Sequence, residues 1–310
     1  MRVLVLGGNG FIGKSIVTQL QMQGAEVLIG SRKKSANSNS LEVHLQSMLD
    51  IKDWLPLLNG VDVVVNCVGI LRERKGGETY EKVHTLAPAA LAQARAQLGI
   101  RMIHISAIGL TMQAKSRFIR SKLLGEHAIL NSGADVTIVR PSLLDGEGGF
   151  GAKWFRRVAT WPLQLVMQSE GLVAPLQVTD LGEAVAKLCL NGYVNLPKVM
   201  ELGGNETMTI PQYLNWLRAT GQRKPAAQIA VPKMMVRLAS HIFDMLAWTP
   251  LSFGHFELMQ GKNVPAVNWL PILLGRTPTA TGLMLENSTK KWPKKTLNLQ
   301  PNQFDPLEAA

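Results

Sequence analysis

Short apolar runs alternate with amphipathic stretches through the first half of the chain, and that alternation predicts repeated βα units. Arg2–Leu6 reads as a buried strand, followed by a glycine-rich turn and a helix from about Phe11 to Gln23 that Gly24 ends. Glu26–Ile29 reads as the second strand, and a polar loop, Ser31–Ser40, leads to a third around Glu42–Leu45. Lys52–Leu58 is a short helix and Asp62–Asn66 a continuous apolar strand. A helix from about Tyr80 to Leu98 precedes the strand Arg101–Ser106, and another over about Lys115–Asn131 precedes the strand Asp135–Arg140. Strands that are apolar throughout imply a parallel sheet covered by helices on both faces. The expected fold class is therefore α/β, a doubly wound parallel sheet of the Rossmann type.

After Pro141 the texture changes. Six of the seven tryptophans and most of the prolines follow position 150, and strand signals become sparse. We expect a dinucleotide-binding domain over residues 1–150. Residues 151–310 should form a smaller, mostly helical cap, a substrate or partner region interleaved with the sheet edge.

Composition narrows the function classes. With 46% hydrophobic and 18% charged residues in 310, disorder over the whole length is excluded. Two cysteines, Cys67 and Cys189, make neither a disulfide scaffold nor a CxxC metal site, and no metal is expected. No apolar stretch reaches 18 residues, and the opening MRVLVLGGNG lacks the apolar core of a leader. A cytoplasmic location is expected, with peripheral membrane association as a variant. The net charge of +11 is unevenly placed: Gln222–Phe304 holds ten Lys/Arg against three Asp/Glu, densest at Lys290, Lys291, Lys294 and Lys295. Such a tail is most simply a solvated face. Otherwise it fits an anionic membrane or a protein partner. No helix-turn-helix, zinc-finger or RNP pattern accompanies it, so nucleic acid is not an expected partner.

Gly7-Gly8-Asn9-Gly10-Phe11-Ile12-Gly13 follows a predicted strand and opens a predicted helix, with Gly7, Gly10 and Gly13 spaced GxxGxxG. In that context glycine permits the tight turn and lets backbone approach a pyrophosphate held on the helix N-terminus. After the second strand, an NAD site would carry Asp or Glu for the ribose hydroxyls. Here Gly30-Ser31-Arg32-Lys33-Lys34 stands instead. Arg32 offers a fork for a 2′-phosphate with Ser31 as a further donor, and no acid is nearby to repel it. NADP(H) is expected over NAD(H).

From Met1 to about Leu190 these residues resemble the short-chain dehydrogenase/reductase superfamily in its extended and atypical branches. Asp50-Ile51 matches the acidic position that contacts adenine, and Asn66-Cys67-Val68-Gly69 the NxxG turn after the fourth strand. Ser106 matches the catalytic serine, and Lys122 the lysine of YxxxK, which also bonds the nicotinamide ribose. Arg140-Pro141-Ser142 matches the turn beside the nicotinamide, and Pro175–Asp180 a PVxVxD element. The segments Val64–Leu71, Val136–Ser142 and Phe256–Val264 are similar to the atypical group that includes the large Rossmann-type accessory subunit of mitochondrial complex I and bacterial epimerase-like proteins. That likeness implies a tightly held NADPH and, in the complex I case, a structural role.

One departure bears on the chemistry. The tyrosine of YxxxK falls at Phe118, which has no proton to give, and Tyr80, Tyr193 and Tyr213 lie outside any YxxxK context. His84 occupies the position of the helix asparagine and is a candidate proton shuttle; more often such a residue is a partly buried helix residue hydrogen-bonded once. His104 shares strand parity with Ser106 and reads as a core histidine. Residues 154–167 and 234–248 are apolar with interspersed arginines, and read as core, lid or docking helices. The expected function is an NADP(H)-binding protein of oxidoreductase ancestry, passing hydride to an acceptor that needs no tyrosine, such as a quinone or flavin. The alternatives are a non-catalytic structural or redox-sensing NADPH binder and a nucleotide-sugar epimerase or dehydratase, the last opposed by Phe118.

Overall fold

The apolar runs of the first half become the interior of one seven-stranded sheet. The structure is a computed structural model and describes residues 1–282 apart from 35–38, 75, 134, 168–169, 192–195, 233 and 240–252. The lysine cluster at 290–295, Tyr193 and most of the 234–248 segment thus lie outside the described residues. From one edge the strands run β3 (Ser40–Glu42), β2 (Glu26–Ser31), β1 (Arg2–Leu6), β4 (Val63–Asn66), β5 (Arg101–Ile105), β6 (Val136–Pro141) and a seventh, Val199–Leu202. Every neighbouring pair is parallel.

Side chains alternate between two buried faces, which is why these strands read as unbroken apolar runs. Val3, Val5, Val63, Val65 and Ile105 pack under α1 (Phe11–Met22) and α6 (Val178–Leu190). Leu4, Leu6, Val64 and Met102 pack under α2 (Ile51–Leu58) and α3 (Ala87–Gln97), against Trp54, Leu58 and Leu91. Gly182 lets α6 lie directly on α1, since a Cβ there would stand 2.3 Å from Ser15 Oγ. Among the described residues the second half also holds α5 (Phe150–Ala159), α7 (Ile210–Thr220), the helices Phe253–Gln260 and Leu270–Leu274, and several short strand pairs. Residues beyond 150 therefore supply α6 and the seventh strand to the sheet itself.

Two expected elements are corrected. The third strand is Ser40–Glu42, where Ser40 pairs with Ile29, and Leu45 instead starts a single 3-10 turn that buries its side chain. The helix expected from Tyr80 begins as a π-wound turn, Glu81–Leu86, before α3. Pro88 explains it. An α-helix needs an N–H at 88 for the carbonyl of His84, and proline has none. That carbonyl faces α4 (Arg117–Leu130), where a Cβ on Gly125 would stand 1.8 Å from His84 O.

Polar groups buried at the C-terminal edge of the sheet shape the next layer. Asn66 Nδ2 donates to His104 Nδ1 on the adjacent strand at 3.2 Å, and Asn66 Oδ1 accepts from Val68 N at 3.0 Å, which fixes the turn after β4. Burial, with the nearby positive charge of Lys122, holds His104 neutral and pushes its pKa down to about 3.

Two outcomes follow from this packing. Gly125→Ala should destabilise the fold by about 2–3 kcal/mol, because the obstacle is backbone that cannot rotate away; urea denaturation reads this, and an unchanged midpoint would refute the close contact. A histidine free in the unfolded chain titrates near 6.5, so the stabilisation from keeping His104 neutral is complete above that pH and erodes as pH falls toward 3. Unfolding free energy should drop by about 1.4 kcal/mol per pH unit from this residue below pH ~6. His104→Gln should flatten that slope, and an identical slope in the variant would contradict the assignment.

Candidate functional site

The first functional element is a stretch of bare backbone. Gly7 has φ +77°, a conformation that favours glycine, and its N–H donates to Gly30 O at 2.8 Å. Gly10 N donates to Gly7 O at 2.8 Å, closing the turn, and Gly10 then serves as the N-cap of α1 with no side-chain capping bond. The first N–H groups of α1 are thus left for an external acceptor. Any Cβ on Gly13 would stand 2.2 Å from Gly7 O, so the helix can meet the loop only as glycine. Phe11 lies under Gly149, where a Cβ would fall 2.8 Å from its ring, and Ile12 packs against the sheet core. Across the loop, Cys67 N donates to Leu6 O at 3.0 Å, and Val68 and Cys67 approach Gly7. Burial pushes the Cys67 thiol up, so it stays protonated.

At the end of β2, Asn9 Nδ2 donates to Ser31 Oγ at 3.0 Å, which in turn donates to Lys33 O at 2.7 Å. The expectation that no acid lies near Arg32 is corrected. Arg32 Nη1 pairs with Glu78 Oε1 at 2.9 Å, and Arg74 Nε stands 3.7 Å from the other oxygen of the same carboxylate. The loop after β4 delivers Glu78 from 46 residues away, a distance no local pattern reports. Asp50 lies at the start of α2, where its N–H donates to Asp53 Oδ2 at 3.0 Å, and Ile51 is the first helical residue.

The far end of the groove gathers the residues of the expected catalytic set. Gly69 leaves a face bounded by His84 Nε2 and Lys122 Nζ, at 3.7 and 3.8 Å from where its Cβ would sit. His84 Nε2 accepts from Ile70 N at 3.1 Å, which leaves Nδ1 to donate to Ser121 Oγ at 2.9 Å; Ser121 Oγ donates to Phe118 O at 3.0 Å. Both ring nitrogens are engaged, and burial with the neighbouring charge of Lys122 drives the His84 pKa well below its usual value. Burial likewise lowers the pKa of Lys122, opposed by the carboxylate of Glu126. Ser106 Oγ, just past the end of β5, is buried with no hydrogen-bond partner among the described residues. Pro141 ends β6 and accepts from Ile108 N at 3.2 Å, while Arg140 forms a forked pair with the buried Glu126 on α4.

Phe118 lies one helical turn before Lys122 and is 7% exposed. Its ring meets Tyr80 at 5.9 Å, His84 at 5.5 Å and His255 at 5.4 Å between centroids. Tyr80, the hydroxyl closest in role to a substitute, donates to Leu71 O at 2.9 Å. Its place four residues before His84, on the same helical face, was the available signal for that grouping.

The helix Phe253–Gln260 covers this ring cluster, and sequence reading missed its docking residues. Glu257 accepts from Lys115 N at 2.7 Å and Ser116 N at 2.8 Å, seating the helix on the start of α4. A Cβ on Gly254 would stand 2.9 Å from Phe118 Cδ1, and Leu258 packs beside Phe118 and Tyr80. Asn263 then ties the ends of two strand loops together, donating to Ile108 O at 3.1 Å and accepting from Ser142 Oγ at 3.0 Å. Asp180 of the PVxVxD-like element anchors the following loop through Arg276 at 2.8 Å and Thr279 N at 2.6 Å. Among the described residues there is no group of three or more His, Cys, Asp or Glu placed to hold a metal ion, and no helix long and apolar enough to cross a membrane.

Comparison with known proteins places this geometry. Residues 7–155 match the model of a family described as NAD(P)H-binding. Over 221 residues the chain is 27% identical to NADH dehydrogenase (ubiquinone) 1 alpha subcomplex subunit 9, mitochondrial, of Arabidopsis thaliana, covering 66% of this chain and 54% of that one. It thus spans about half the length of that relative. It is 24% identical over 261 residues to the mitochondrial NADH-ubiquinone oxidoreductase 40 kDa subunit of Neurospora crassa, covering 80% of this chain and 67% of that one. In structure it is similar to the UDP-glucose 4-epimerase of Thermus thermophilus solved in complex with NAD, with a TM-score of 0.55, 20% identity, and 83% and 99% of the two chains covered. The strand order and these likenesses together support a place among the NAD(P)-binding proteins of the extended short-chain dehydrogenase/reductase-like superfamily.

Proposed function

We propose that this protein holds NADP(H) as a fixed structural or redox-reporting group and does not carry out tyrosine-assisted reduction. The observation that carries the reading is the sealed position of Phe118. The place of the acid is a phenyl ring packed among Tyr80, His84 and His255 beneath the helix Phe253–Gln260, while the nucleotide cradle keeps its glycines.

The residues fit the dinucleotide. Gly7, Gly10, Phe11, Ile12 and Gly13 would receive the pyrophosphate at the uncapped start of α1. Ser31 and Arg32 would meet the 2′-phosphate, with Arg74 as a second cation and Glu78 turning away from the incoming dianion. Asp50 and Ile51 would border the adenine, Cys67, Val68 and Gly69 would line the chain toward the nicotinamide, and Pro141 would border that ring. When bound, the cofactor supplies a hydride donor or acceptor at its nicotinamide. Lys122 would donate to the ribose hydroxyls, an interaction that needs no tyrosine. His84, neutral with both nitrogens bonded, holds the Gly69–Ile70 backbone and the start of α4 in place. Two relatives carry names of dehydrogenase subunits, which supports a role within an assembly.

A second reading rests on Ser106. Its buried hydroxyl has no partner, and an acceptor oxygen of a quinone or flavin would satisfy it. In that case the chain positions the ring for hydride transfer and the acceptor takes its proton from water. The epimerase-like alternative requires the tyrosine as base, and Phe118 opposes it.

Arg32→Ala should weaken NADPH binding about tenfold or more, as for a lost charge-assisted bond, and change NADH binding less than about twofold. Calorimetric titration of nucleotide-stripped protein checks this, and equal losses would sink the 2′-phosphate role. Wild-type protein should bind NADPH without oxidising it when a quinone or a flavin is added; steady loss of NADPH absorbance would replace the first reading with the second. Phe118→Tyr should keep NADPH affinity within about twofold and still reduce no aldehyde or ketone, since the covering helix remains. Carbonyl reduction by that variant would show that the hydroxyl alone was missing.

A further inference from the structure

A two-stranded ribbon stands apart from the main sheet and turns an apolar face outward. Leu163–Met167 pairs in parallel with Ala227–Val231, Leu165 beside Ile229, and neither strand joins another sheet among the described residues. The inward face is anchored: Gln164 and Val166 are buried, and Val166 packs with Phe155, Tyr213 and Leu217 of α5 and α7. A solvated outer face would carry polar residues at the alternate positions. Here those positions are Leu163, Leu165 and Ile229, exposed to 51%, 70% and 51%. The chain then passes Pro232 into a helical turn whose Met234, Met235 and Leu238 are 84%, 62% and 66% exposed. Scattered exposed apolar side chains are ordinary, but a run of them along one ribbon and the turn that follows it marks a surface for something else.

The charge around the ribbon says what. Residues 148–169 and 207–243, which contain both strands, include no Asp or Glu at all. Arg157 lies in the last turn of α5, a few residues before one strand, Arg223 and Lys224 precede the other, and all three are exposed. Trp161, 43% exposed with its ring edge-on to Trp154 at 6.3 Å, sits just ahead of Leu163. Apolar side chains rimmed by cations, with a half-exposed tryptophan at the boundary, match the chemistry of an anionic bilayer surface. A two-fold pairing of this face with its copy would instead set the same cations against each other.

We propose that this face docks the protein on an anionic lipid surface, with Leu163, Leu165 and Ile229 at the acyl boundary and Arg157, Arg223 and Lys224 against headgroup phosphates. This site is independent of the dinucleotide cradle and goes beyond the proposed function.

The test is sedimentation of the full chain with phosphatidylglycerol/phosphatidylcholine vesicles and with pure phosphatidylcholine vesicles. Binding to the anionic vesicles should be about tenfold or more tighter than to neutral ones, and should weaken as salt rises. Leu165→Glu with Ile229→Glu should lose about tenfold or more, while changing Lys290, Lys291, Lys294 and Lys295 to alanine should cost less. An unchanged NADPH titration certifies that a variant is folded; Leu165→Gln serves if the double variant is not, with the same direction expected. Four results would overturn the proposal: no binding to anionic vesicles, no preference for them, ribbon variants that bind as wild type, or a concentration-dependent dimer in light scattering that these substitutions abolish.

Discussion

The backbone contact between the π-wound turn and α4 sets the site. Pro88 takes away the N–H that an α-helix would give to the carbonyl of His84, and Gly125 is the only kind of residue that lets α4 approach that carbonyl. The approach is then locked by side chains, with Thr85 Oγ1 donating to Ser121 O at 3.0 Å and His84 bonded to Ser121 Oγ. Phe118, Ser121 and Lys122 lie within about two turns of Gly125 on the same helix, so their heights above the sheet are fixed by this one contact. The forked pair between Arg140 and the fully buried Glu126 fastens the next residue of α4 to β6. The surroundings of Lys122 are thus tied together by contacts within the chain itself.

The same bonding bears on the role expected of His84. A proton shuttle needs one nitrogen directed at a reacting group and a pKa near neutrality. His84 has one nitrogen accepting from backbone, the other donating to a hydroxyl, and a pKa driven down by burial. Its geometry is that of a brace. With the tyrosine position filled by phenyl, the proposed function has no proton donor at that place, while the surrounding bonds are all made.

How far the sequence could be read follows from the range of each interaction. β1, β4, β5 and β6 were legible because their residues are buried on both faces, so apolarity alone marks them. The glycine turn and the spacing of Phe118 from Lys122 were legible because each is a local pattern. The third strand was displaced because only three residues pair, too few for a period-two signal to outweigh the polar loop before them. Glu78 beside Arg32, Glu257 on the start of α4 and Asn263 between two strand loops were not legible, since they join residues separated by 46, 142 and 155 positions. Local pattern gave the glycine turn and the place of Phe118 one turn before Lys122. Only tertiary structure gives the counter-charge and the cover.

Lys122 shows why a pocket without an acid still favours its ligand. In a reductase of this superfamily the lysine tunes a tyrosine and binds a ribose; under the proposed function only the second task would remain here. Burying an ammonium costs on the order of several kcal/mol unless hydrogen bonds replace its water. The lowered pKa of Lys122 reports that cost, and the carboxylate of Glu126 offsets part of it. Ribose hydroxyls at that nitrogen would offset more, as a ligand oxygen would for the buried Ser106 hydroxyl. Binding the dinucleotide and stabilising the fold are then coupled, because whatever binds only the folded state stabilises it. On the proposed function, a phenyl ring at position 118 would remove a reaction and leave this coupling whole, so a chain with Phe118, Lys122 and an uncapped glycine turn would be suited to keep a nucleotide as part of its structure.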